Sequence, residues 1–303
     1  MNTNISLKDI KLTSPVILAS GACGYAVECA EFFDISKVGA FICKGTTLHE
    51  RHGNEQVRIA ETPCGMLNAV GLENIGLERV IREKTPLWQQ FLKPVIVNVA
   101  GSDINEYVQV VSKLSQTKGI AAVELNISCP NVHAGCIEFG SNPIMAKELV
   151  KEVRPVCSLP LFVKLTPNTA MVPQVAAAVL EEGADGVSLI NTVIGMAVDI
   201  KHRKALLANV TGGLSGAAIK PVALAHLYKV RKALGQEALI LGGGGITSGL
   251  DAIEFIMTGA TAVTVGTAVL QNPHAPVEIQ RGIEEFMQTE GIESLDDIRS
   301  VII

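Results

Sequence analysis

Eight short runs of β-branched and other apolar residues recur along the chain, at 15–20, 40–44, 94–100, 122–127, 161–165, 186–191, 238–241 and 262–265, each of strand length. Between most of them the apolar positions change to helical spacing. Ile104, Tyr107, Val108, Val111 and Leu114 share one helical face, after the capping types Ser102-Asp103 and before Gly119. Ser141-Asn142-Pro143 and Thr247-Ser248 repeat that start signal. A recurring strand–helix unit predicts a parallel sheet, and eight strands are what a closed (β/α)8 TIM barrel needs. A doubly wound open sheet is the rival, but it gathers its functional groups at one switch point. Here polar residues or glycines end all eight runs: Ser20-Gly21, Lys44-Gly45, Asn98, Asn126 to Cys129, Lys164, Asn191-Thr192, Gly244-Gly245 and Gly266-Thr267. That distribution favours the barrel, with a site on the C-terminal face of its strands. No Pro/Ser-rich linker interrupts the repeat, so one catalytic domain over 1–303 is expected. The connections 46–76 and 193–215 exceed the usual few residues and are expected to extend over a substrate.

Composition narrows the picture. With 48% hydrophobic but only 4% aromatic residues, the core must be aliphatic, as in a parallel sheet covered on both faces. A net charge of -5 and no basic cluster argue against nucleic acid. The first residues lack a signal-peptide pattern, and no apolar run reaches the ~18 residues of a spanning helix, so a cytoplasmic protein with no membrane partner is expected. The 7 cysteines are odd in number and scattered without a C-x-x-C pair, which predicts free thiols rather than disulfides, zinc or iron–sulfur ligands. The histidines lack metal spacing, and no metal site is expected.

Four features carry chemistry. Gly242 to Gly245 and Gly266-Thr267 end the seventh and eighth runs, where barrels often hold a phosphate against backbone N–H groups at a helix N-terminus. A lone glycine turn would as readily be simple relief of crowding; two at these strands point to a phosphate-bearing cofactor. Neither fits G-x-G-x-x-G, so direct dinucleotide binding is not indicated. Cys129 precedes Pro130 and follows Asn126 and Ser128, a setting in which a thiol can face the barrel mouth as a base, although most cysteines in apolar runs are packing residues. Lys44 and Lys164 end strongly apolar strands and imply an anionic cofactor, substrate or developing charge; a Schiff-base lysine is another reading. Asn68, Ala69, Val70, Gly71 and Leu72, with Asn126, Asn191 and Thr192, offer neutral donors and acceptors suited to a flat, amide-rich ligand.

The motifs ASGACG, NAVGLEN, ELNISCPN, FVKLTPN, LINT, NVTGGLSGAAIKP and AVTVGTA together resemble the dihydroorotate dehydrogenases over essentially the full length. The resemblance implies an FMN-containing barrel that oxidises dihydroorotate to orotate in pyrimidine biosynthesis. It implies Cys129 as the catalytic base, Lys164 at the flavin ring and Lys44 between flavin and substrate. Ser20, Gly45, Asn98, Asn126, Ile190, Gly216, Gly244, Gly245, Gly266 and Thr267 match its FMN contacts, and Asn68 to Leu72, Asn126, Asn191 and Thr192 its orotate contacts.

Cysteine in the SCPN motif marks the soluble class 1 of that family. The stretch Val132 to Gly140 is similar to class 1B, the NAD-linked catalytic subunits, with Cys136 where the pattern usually has glycine. Class 1B implies a homodimer joined to a partner subunit carrying FAD and a 2Fe-2S cluster, a heterotetramer through which electrons reach NAD. The alternatives are a fumarate-dependent class 1A enzyme, a flavin barrel acting on dihydropyrimidines, a flavin-free aldolase using Lys164, and a scaffold without activity.

Overall fold

The computed structural model describes residues 1–128 and 139–303. Eight strands close into a barrel: β1 (Val16–Leu18), β2 (Ala40–Ile42), β3 (Val95–Val99), β4 (Ala122–Asn126), β5 (Leu161–Lys164), β6 (Gly186–Leu189), β7 (Leu239–Gly243) and β8 (Ala262–Val265). They pair in sequence order, and β8 returns to β1. Every pair is parallel, as a strand–helix repeat requires. The closed barrel was expected; the open sheet is excluded.

Seven strands fall within the expected runs, and β7 alone extends beyond its own. The strand continues through Gly242 and Gly243 because only glycine fits there: a Cβ on Gly242 would meet the Ala260 methyl at 2.8 Å, and one on Gly243 would strike the Thr264 side chain.

Helices cover the outside. Ile104–Ser115 buries Tyr107, Val110, Val111 and Leu114, and starts where expected, with the Asp103 side chain accepting from the Glu106 amide. Asn142 caps Pro143–Val153, and Ser248 with Asp251 forms a capping box on Gly249–Met257.

The two long connections, excursions from the barrel after β2 and β6, are not plain loops. They supply the strands of an antiparallel sheet, in the order Val193–Met196, Thr211–Ser215, Gly65–Asn68, Ile59–Thr62. Their alternation was masked in the sequence by glycines and by strands of four or five residues. An N-terminal hairpin, Ile5–Leu7 with Ile10–Leu12, was also not foreseen.

One expectation is corrected. Cys23 and Cys29 are not free thiols: left-handed backbone at Gly24 and Ala26 folds the segment back, and the two are joined as a disulfide with Cα atoms 5.8 Å apart. Cys43, Cys64 and Cys157 are free. Cys129 and Cys136 lie outside the described residues.

Candidate active site

A cavity of about 630 Å³ opens at the C-terminal ends of the strands. The turns after β7 and β8 contribute Gly244, Gly245, Gly266 and Thr267, joined by Ser20, Ile190 and Gly216. Asn68, Val70, Gly71 and Leu72 line it together with Asn126, Asn191 and Thr192. Lys44, Gly45, Asn98 and Lys164 complete the expected set. Ala69 is the exception: it is buried with Leu67 and Leu207 in a small separate core and does not line the cavity. Side chains alternate in direction along a strand, so its neighbours Asn68 and Val70 can reach the cavity where Ala69 does not. Cys129, the expected base, lies outside the described residues.

The glycine part is made of backbone. Gly244 and Gly245 have φ of 125° and 86°, and a Cβ on Gly245 would lie 2.7 Å from the Lys220 amide nitrogen and 2.9 Å from the Gly216 carbonyl oxygen. A Cβ on Gly216 would lie 2.6 Å from the Gly65 Cα, so the two excursions touch here. At Gly266, by contrast, a Cβ would find nothing nearer than Ala19 at 3.6 Å, which leaves open space beside the turn.

The helix after β7 does not offer its N-terminus to a ligand, as the sequence had suggested. The Asp251 carboxylate fills that place, accepting from the amides of Thr247 and Ser248, both at 2.9 Å, and from Lys220 Nζ at 2.6 Å. Burial pushes the Asp251 carboxyl up, but these donors outweigh it and hold it down at about 2. A phosphate in the cavity would therefore meet the glycine turns themselves.

The polar part is made of side chains. Pleating and register place the ends of β4 and β5 side by side, with Asn126 paired to Lys164 and Glu124 to Phe162. Asn126 Oδ1 accepts from Ser128 Oγ at 2.7 Å, and Asn191 Nδ2 donates to Ser128 Oγ at 2.5 Å. Tyr107 OH, donating to the Asn126 carbonyl at 2.7 Å, ties this corner to the outer helix layer. Lys164 Nζ lies 3.1 Å from Ser20 Oγ at the end of β1.

Asn98 at the end of β3 is 1% exposed, and its Nδ2 donates to the buried Glu124 at 2.6 Å. Its Oδ1 is buried and has no partner. The nearby Cys43 thiol is no rival base: burial pushes it up to about 12.

Among the lining residues that were missed, two have side chains bonded to residues of the expected set. Asn168 donates to the Thr192 carbonyl at 3.0 Å and accepts from the Ile194 amide at 3.0 Å, fixing the start of the second excursion. Ser215 Oγ accepts from Thr267 Oγ1 at 2.8 Å. Both stand inside motifs quoted above, FVKLTPN and GGLSGAAIKP, which were their only signal. No group of metal-ligating side chains is found among the described residues. No described helix is long and apolar enough to cross a membrane.

Barrel, covering excursions and polar mouth define an enzyme of the (β/α)8 class that acts on a small molecule. The chain belongs to the dihydroorotate dehydrogenase family, whose model, described as "Dihydroorotate dehydrogenase", matches residues 2–287. It is 47% identical to a protein of Pelobacter propionicus over 97% of this chain and 96% of that one, and 47% identical to one of Petrotoga mobilis over 100% of both. Both are named dihydroorotate dehydrogenase B (NAD(+)), catalytic subunit. A crystal structure of DHODH in complex with ferulenol from Eimeria tenella matches with a TM-score of 0.84 at 20% identity, covering 99% of this chain and 88% of that one, and supports the fold.

Proposed function

We propose that this chain is the FMN-containing catalytic subunit of an NAD-linked dihydroorotate dehydrogenase, working as one cytoplasmic barrel domain. The observation that carries the reading is the meeting, in one cavity, of a glycine turn, two lysines and a set of amides, in a chain with full-length relatives of that name. The residues fit FMN on two counts. The buried, unpartnered Asn98 Oδ1 calls for a donor, and the backbone at Gly245 has no room for a side chain of its own.

Bound FMN supplies the two-electron acceptor. The residues of the chain do the rest. Cys129 takes the proton from the carbon next to a carbonyl of dihydroorotate, while the neighbouring carbon loses a hydride, leaving the double bond of orotate. Lys164, placed beside Ser20, holds positive charge where negative charge develops on reduction, and Lys44 stands between the two ligands. Asn126, Asn191 and Ser128 form a polar corner that orients the flat substrate, with Asn68, Gly71, Leu72 and Thr192 over it. The excursion sheet keeps water away from the site.

For the route to NAD we propose a homodimer joined to a partner subunit carrying FAD and a 2Fe-2S cluster. The test is turnover by purified protein, alone and co-expressed with such a partner. The expected outcome is a yellow protein that prefers dihydroorotate to dihydrouracil and reduces NAD only with the partner. Preference for dihydrouracil, fumarate reduction by the chain alone, or colourless protein with a trappable imine on Lys164 would each reject it.

A further inference from the structure

Glu124 is a buried carboxylate that the proposed chemistry leaves unused. It lies within β4 at 1% exposure, and both its oxygens are engaged: Asn98 Nδ2 donates to Oε1 and Ser188 Oγ to Oε2, each at 2.6 Å. A carboxylate accepts and does not donate, so on that side Asn98 must present its nitrogen. Because the amide is planar, its oxygen then points the other way. That oxygen is buried without a partner in a residue lining the cavity, and glycine at position 45 keeps the approach open, since a Cβ there would lie 3.2 Å from Oδ1. Were Asn98 free to turn over, the cavity would meet a donor instead of an acceptor.

We infer that Glu124 is a positioning residue: it locks the Asn98 amide so that Oδ1 accepts the N3–H of the flavin ring. The inference rests on the FMN reading. Oxidised isoalloxazine carries a single N–H, at N3, while N1, N5 and the two carbonyl oxygens are acceptors, so an acceptor fixed in the protein selects that edge of the ring. Serine at 188 completes the lock by occupying the second carboxylate oxygen, which leaves Glu124 no freedom to swing away from Asn98.

The test is titration of flavin-stripped protein with FMN and with N3-methyl-FMN, followed by flavin fluorescence and absorption. The wild type is expected to favour FMN about tenfold, the worth of one well-placed hydrogen bond in a buried site. Glu124→Met should weaken FMN binding roughly tenfold, abolish the preference over the N3-methyl analogue and shift the flavin absorption bands. Glu124→Gln should preserve the preference, because its carbonyl can still accept from Asn98 while its amide donates to Ser188. If Glu124→Met does not fold, Ser188→Ala carries the test, since it frees the second carboxylate oxygen and lets Glu124 swing from Asn98: a reduced preference for FMN over the N3-methyl analogue supports the inference, and an undiminished preference overturns it. Equal affinity of the wild type for both flavins, or a preference that survives in Glu124→Met, also overturns it. Failure of the wild type to bind FMN at all is a separate result, and removes the FMN reading itself.

Discussion

The glycine turns after β7 and β8 and the amide corner at the ends of β4 and β6 line one cavity but are built in opposite ways. At Gly244, Gly245 and Gly216 the surface is backbone, in left-handed conformations and with neighbours too close for a Cβ. At Asn126, Ser128 and Asn191 it is a chain of side-chain hydrogen bonds, fixed from behind by Tyr107. Backbone amides recognise an anion whatever the side chains, so that part is sensitive to added volume and indifferent to chemistry. The side-chain part is the reverse: it tolerates loss of atoms without clash but fails when a donor or acceptor goes missing. One part should therefore govern whether cofactor binds, and the other what happens to substrate.

The sharpest separation of the two should come from Cys129→Ala, beside the amide corner in sequence. Flavin reduction by dihydroorotate in a stopped-flow experiment is expected to slow about 100-fold or more, the usual worth of a positioned base, with FMN content unchanged. A variant that lost FMN and rate together would erase the division. Gly245→Val should give the opposite signature. Its side chain would press on the Lys220 amide and Gly216 carbonyl from a residue at φ 86°, so FMN content is expected to fall about tenfold or more while the protein still folds. Full flavin content in that variant would mean that the cofactor phosphate does not depend on this turn.

The same contrast explains what could be read from the chain. Strands β1 to β8 were visible because a stave buried on both faces leaves an unbroken apolar run, such as AFIC or PLFV, and because its polar end is abrupt. Asn98, Lys164 and the glycine turns were found as such ends. The excursion sheet was not, since its strands are short and glycine-bearing, and the pairing that joins its two hairpins spans 145 residues, between Asn68 and Gly213. The disulfide between Cys23 and Cys29 escaped because a pair six residues apart is made adjacent only by the turn at Gly24 and Ala26. Ala69 was drawn in by sequence adjacency alone, because the strand Gly65–Asn68 that sets its direction was not itself legible. Glu124 could not be read at all: inside the apolar run of β4, its partners Asn98 and Ser188 come from β3 and β6 and meet it only when the barrel closes.

The smallest expected effect tests whether the glycine part has support of its own. Asp251 joins Lys220, whose amide nitrogen backs Gly245, to the start of the Gly249–Met257 helix. With its carboxyl held at about 2 in the fold and nearer 3.8 when free, the ionised form stabilises the folded state. That contribution is fully present above pH 4 and is lost as pH falls from about 4 to 2. Allowing for solvent around the pair, it is worth on the order of 1 kcal/mol, similar to a helix cap. Asp251→Asn should therefore lower the melting temperature at pH 7 by roughly 2 °C and remove that share of the acid-induced loss of stability. Thermal unfolding of the flavin-stripped protein across pH 2 to 7 measures both. If the turn is merely held by its own glycines, FMN affinity in the variant will match wild type; a several-fold loss would show that the backbone cradle depends on a side-chain brace, and the two parts of the cavity would then differ less than their surfaces suggest.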